Sequence, residues 1–213
     1  MLKNSSGEQT VYSSQKFKPT YILIAVNIAV YVYTSIAGGN FLITDSTMLV
    51  QYGQVNDLVI NFGYYYQLFT SIFIHADLTH IVGNMLFLFI FGLRGEEMFS
   101  LSEYLSIYFL GGLTGNVMSL LLLPSATISV GASGAIFAMF GAAIIYARRS
   151  FRQSIIGALI YAFFLLFLST GAGVNNFAHI GGLITGLVIG YLLATKRKPE
   201  TRYTMSYSYS SFP

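Results

Sequence analysis

Residues 176–194 read NFAHIGGLITGLVIGYLLA, 19 positions without an Asp, Glu, Lys or Arg. A helix rises about 1.5 Å per residue, so this run spans roughly the 30 Å hydrocarbon core of a bilayer. Its small residues are ordered as well. His179, Gly182 and Gly186 recur at intervals of three and four, which puts them on one helical face. Small residues on one face let two helix backbones approach closely inside a membrane. The stretch therefore reads as a membrane span that packs through a glycine face and carries an imidazole near its start.

The remainder of the chain is built alike. Of 213 residues, 54% are hydrophobic and only 9% charged, whereas about a quarter are charged in an average soluble domain. Five further segments approach the length of a span: 20–37, 77–98, 102–123, 133–146 and 153–169. The fourth is short, which puts its outer end below the membrane surface. The expected fold is all-α: a polytopic bundle of six transmembrane helices with a long outer loop between the first and second. Residues 1–19 form a polar lead, 20–195 the membrane domain and 196–213 a tail. The lead shows no short apolar core before a small-residue cleavage site, so it is read as cytoplasmic and not as a signal peptide.

Orientation follows from the basic residues. With the N-terminus inside, the inner connections hold Arg94, Arg148, Arg149 and Arg152, and the tail Lys196, Arg197, Lys198 and Arg202. The outer connections 38–76, 124–132 and 171–175 hold no Lys or Arg. All 11 basic residues then fall inside, with both termini cytoplasmic. The net charge of +3 is thus a topology signal and gives no footprint for nucleic acid. The absence of cysteine excludes disulfides, a thiolate nucleophile and a Cys-based metal site. The first outer connection carries Tyr64, Tyr65 and Tyr66 beside apolar residues and is expected to lie partly in the outer leaflet.

Polar side chains inside spans are costly and mark functional paths or interhelix bonds. Here they converge from three helices near the outer surface. His80 and Asn84 lie four apart on the second span, Ser133 opens the fourth in the run GASGAIF (131–137), and His179 begins the sixth. On the fourth span Ser133, Phe137 and Gly141 recur every four residues, so Ser133 shares a face with small residues, as His179 does. If those faces pack, the hydroxyl and the imidazole come within hydrogen-bond reach, with Phe137 one turn below to support the ring. An imidazole that accepts the serine proton turns a weak nucleophile into a competent one. Gly131 and Gly134 let the backbone turn tightly and expose N–H groups at a helix start, where an oxyanion is stabilised. His80 and Asn84 are the side-chain donors to complete that hole.

These pieces together resemble the rhomboid intramembrane serine proteases over the six-span core. They are HADLTHIVGN (75–84), GASG (131–134) and AHIGGLITG (178–186). The resemblance implies Ser133 as nucleophile and His179 as general base. It implies His80, Asn84 and the Ser133 N–H as oxyanion donors, with His75, Gly131, Gly134, Phe137, Gly182 and Gly186 in support. Glu96, in GLRGEE, resembles a buried acid that ties inner helix ends together. The implied substrates are single-span membrane proteins within the lipid bilayer, cut near the outer face, with no cofactor or metal. The topology points to a prokaryotic plasma membrane. Two departures stand out: Tyr66-Gln67 replaces a frequent Trp-Arg pair in the long outer loop, and Phe137 replaces a frequent Tyr.

Two other readings use the same residues. His75, His80 and His179 all lie on the outer side, and Zn²⁺ accepts three His. His75 and His80 are five apart, however, not the four that sets two ligands on one face, and no HExxH glutamate adjoins them. A rhomboid-like bundle that binds membrane proteins without catalysis has no chemical need for the Ser133 and His179 pair.

Overall fold

The computed structural model describes residues 18–150, 156, 157, 160 and 173–196. The chain enters α1 (Pro19–Gly38) and passes through three short helices, α2 (Ser46–Tyr52), α3 (Asn56–Phe62) and α4 (Gln67–Thr70). It then forms α5 (Leu78–Met98), α6 (Leu101–Leu122), α7 (Ser133–Ser150) and α8 (Asn176–Lys196). The expected fifth span at 153–169 lies almost wholly outside the described residues. So do most of the N-terminal lead and all of the tail beyond Lys196.

Local chemistry sets the helix ends. Proline in the first turn of α1 needs no N–H partner. Asp77 caps α5 by accepting from His80 N, and Ser100 with Glu103 forms a reciprocal capping box on α6. Helices α1, α5, α6 and α8 are long and apolar enough to cross a membrane. Helix α7 runs four residues past the expected 133–146, with Arg148 and Arg149 in its last turn.

Helix α7 is the centre of the bundle and packs most extensively on α8, then on α6. Its Ala135, Ala138, Met139 and Ala142 are fully buried, as is Ala132 just ahead of it. Gly182 and Gly186 of α8 sit directly under the carbonyl oxygens of Gly134 and Ala138, where any Cβ would strike the α7 backbone. The large side chains point the other way: Val82, Leu86 and Ile90 on α5 and Ile184, Val188 and Leu192 on α8 are all exposed. Lipid tails are as apolar as leucine, so burial of large side chains does not drive helix association there. Close backbone packing through small residues does.

The connection between α1 and α5 is folded. Its β1 (Gln54–Val55) pairs antiparallel with β2 (Ile128–Ser129), Gln54 opposite Ser129, and an isolated bridge joins Ile43 to Asp77. This small sheet and the single bridge are the departures from an all-α chain among the described residues. Gln67 anchors this connection in the place of the missing Trp-Arg pair. Fully buried, it donates from Nε2 to Val50 O at 2.8 Å and accepts from Val55 N at 3.0 Å. Tyr66 OH adds a bond to Gln51 O at 3.0 Å.

The two ends of the bundle differ in charge. The described basic residues, Lys18, Arg94, Arg148, Arg149 and Lys196, all lie at the end away from Ser133, where α1 starts and α5, α7 and α8 finish. Glu96, half-buried, accepts from Thr20 N at 2.9 Å, and Thr20 Oγ1 lies 2.9 Å from Tyr104 OH. One carboxylate thereby caps α1 and links it to α5 and, through Thr20, to α6.

Candidate active site

Ser133 is the first residue of α7, and Ile136 N donates to Ala132 O to begin its ladder. The N–H groups of Ser133, Gly134 and Ala135 precede that ladder, in the place where a helix presents amides to an anion. His179 lies in the first turn of α8 and is buried. Because the glycine seam joins α7 to α8, His179 Nε2 comes to 2.8 Å from Ser133 Oγ. Phe137 stacks on the imidazole, ring centroids 4.5 Å apart and planes at 20°.

Gly131 explains why the approach to the serine is glycine-rich. Its φ of +118° lies in the region that L side chains rarely adopt, and a Cβ there would fall 2.8 Å from His80 Nε2. The His80 ring therefore rests against the backbone two residues before Ser133. The Gly131 N–H is spent on Ser71 O at 2.9 Å, so it is not among the amides facing the hydroxyl. Asn84, one turn along α5, donates from Nδ2 to His80 O at 2.9 Å. An amide nitrogen carries two hydrogens, which leaves Asn84 a second donor.

His75 lies ahead of α5 and is fully buried, its ring edge-on to His80 at 5.2 Å between centroids. Burial, then the neighbouring His80, pushes its imidazole down to about 3, so it is neutral at physiological pH. Ser133, His179 and Phe137 thus form one contact group, with His80, Gly131, His75 and Asn84 adjoining. Glu96 is remote, at the opposite end of α5. Among the described residues no group of three or more His, Cys, Asp or Glu could hold a metal ion.

A family model described as the Rhomboid domain matches residues 63–196. The chain belongs to the rhomboid family. Rhomboid protease GluP of Bacillus subtilis is 34% identical over 185 residues, covering 84% of this chain and 35% of that protein. RHOMBOID-like protein 6, mitochondrial, of Arabidopsis thaliana is 37% identical over 134 residues, 60% of this chain and 43% of that one. Rhomboid-like protease 2 of Toxoplasma gondii is 32% identical over 184 residues, 82% of this chain and 65% of its own length. The rhomboid chain thus spans about a third to two thirds of these relatives.

Sequence reasoning missed a second polar group of this rhomboid, beside the first. Gln54, Asn56, Asn116, Ser119 and Ser129 are buried and joined by hydrogen bonds. Asn116 and Ser119 lie three apart on α6. Two polar residues on one face of an apolar span were the available signal.

Proposed function

We propose that this rhomboid is an intramembrane serine endopeptidase that cleaves single-span membrane proteins near the outer membrane face through a Ser133–His179 dyad. The hydrogen bond of 2.8 Å between Ser133 Oγ and His179 Nε2 carries the reading. The likeness to proteins named as rhomboid proteases from a bacterium and an apicomplexan supports it.

In the proposed reaction Ser133 Oγ attacks the scissile carbonyl carbon while its proton passes to His179 Nε2. The carbonyl π pair moves onto oxygen. That oxyanion takes hydrogen bonds from the Ser133 N–H, the second Nδ2–H of Asn84 and the His80 imidazole. The imidazolium then protonates the departing amine as the C–N bond breaks, leaving an ester on Ser133. Water, giving its proton to His179, attacks the ester, and the serine leaves with that proton. Phe137 holds the ring level throughout by stacking.

The proposed fold is a six-span bundle with both termini inside and the 39–77 connection outside. The clustering of described Lys and Arg at the end remote from the dyad supports that orientation. The substrate helix must unwind locally to offer its carbonyl, because a helical carbonyl is already hydrogen-bonded.

Covalent labelling with a fluorophosphonate tests the reading without a known substrate. Wild-type protein in detergent should label at Ser133, while Ser133→Ala and His179→Ala should lose labelling and keep their helical circular dichroism. A folded wild type that stays unlabelled would falsify the proposal.

A further inference from the structure

His179 occupies a vulnerable position. It is in the first turn of α8, and the first N–H groups of a helix have no partner within it, so an uncapped start frays. Asn175 immediately precedes that turn. Its Oδ1 accepts from Ala178 N at 3.0 Å, the contact of an N-cap residue, and its carbonyl accepts from His179 N at 3.3 Å.

The other end of the same amide reaches away from α8. Asn175 Nδ2 donates to Ser119 Oγ and to Ser129 Oγ, each at 2.7 Å, and those hydroxyls lie 2.9 Å apart. Both serines are buried. Ser119 belongs to the last turns of α6, and Ser129 ends β2, four residues before Ser133. The side chain uses both hydrogens on nitrogen and its oxygen, and it joins the helix of the base to the segment that leads to the nucleophile.

We propose that Asn175 is a positioning residue for the reaction, fixing the α8 start that carries His179 against the strand that leads to Ser133. It touches neither reacting atom. Its effect runs through the Ser133–His179 distance, to which such chemistry is steep: a displacement of about 1 Å costs on the order of a hundredfold in rate. The inference rests on the protease reading above.

The test is saturation kinetics of fluorophosphonate labelling on the full chain in detergent, with thermal unfolding followed in parallel. Three variants are compared with wild type: Asn175→Leu, which removes every side-chain bond; Asn175→Asp, whose oxygens keep the cap and accept from both serine hydroxyls; and the double variant Ser119→Ala/Ser129→Ala, which keeps the cap and removes the tether. The maximal labelling rate should fall about ten- to a hundredfold in Asn175→Leu, with the concentration for half-saturation near wild type. Asn175→Asp should restore most of the rate, and the double variant, which leaves the Asn175 amide hydrogens unpaired, should lose several-fold in labelling rate while still folding. Should Asn175→Leu fail to fold, the double variant decides. A double variant that labels at the wild-type rate overturns the proposal, as does a folded Asn175→Leu that does so. A wild type that never labels at Ser133 overturns the protease reading and this inference together, a result distinct from either.

Discussion

Gly131 meets two demands with one missing carbon. Its φ of +118° excludes most side chains, and the space a Cβ would fill is held by His80. Gly131→Ala should therefore cost about 1–3 kcal/mol in backbone strain and push the His80 ring off the approach to Ser133. The expected outcome is labelling slowed about tenfold or more in protein that still folds, since an oxyanion donor is worth at least that much. Equal labelling rates would mean that His80 takes no part. At this scale the sequence signal was strongest where polar groups of separate spans recurred near one end of each, as His80, Asn84, Ser133 and His179 do. Asn175, Ser119 and Ser129 stayed hidden for the opposite reason. Each sits at or near the end of an apolar segment, where a small polar residue is ordinary, and their significance lies in meeting one another across 46 and 56 positions of sequence.

Among elements, the seam between α7 and α8 decides most. Gly186 lies against the carbonyl of Ala138, whereas Gly83 on α5 would point a methyl into open space. The same substitution should thus act in opposite directions. Gly186→Ala should lower the melting temperature by an amount corresponding to about 1–3 kcal/mol of overpacking. Gly83→Ala should be neutral or raise stability by up to about 1 kcal/mol, the helix propensity gained. If both variants melted alike, the seam would not be what holds the helices together. The long helices were legible to within one turn except at the end of α7, because apolar length is a strong signal and Asp77 and Ser100 mark their starts. The 39–77 connection was not. Helices of four to seven residues show too little periodicity to read, and the pairing of Gln54–Val55 with Ile128–Ser129 depends on a partner far away in sequence.

Over the whole molecule, the proposed dyad and the described basic residues occupy opposite ends. The proposed topology makes a direct prediction that a chain without cysteine is well suited to test. In intact cells a membrane-impermeant maleimide should modify Tyr65→Cys, in the exposed part of the connection, while Lys196→Cys should react only after lysis. The reverse pattern would invert the orientation and put the dyad on the inner face. Charge bias is the sequence signal behind the proposed orientation, since Lys and Arg can be counted along a chain without tertiary structure. The folded shape of the 39–77 connection is set by long-range pairing that no local sequence signal carries.

The separation of the two proposed catalytic groups along the chain has a consequence for biogenesis. His179 follows Ser133 by 46 residues and reaches it only once α8 has docked along α7. A nascent chain that has inserted α7 but not α8 holds Ser133 without the His179 imidazole that the proposed reaction requires, and would be inactive until α8 docks. Order of synthesis alone would then perform the task that a removable propeptide performs in secreted proteases.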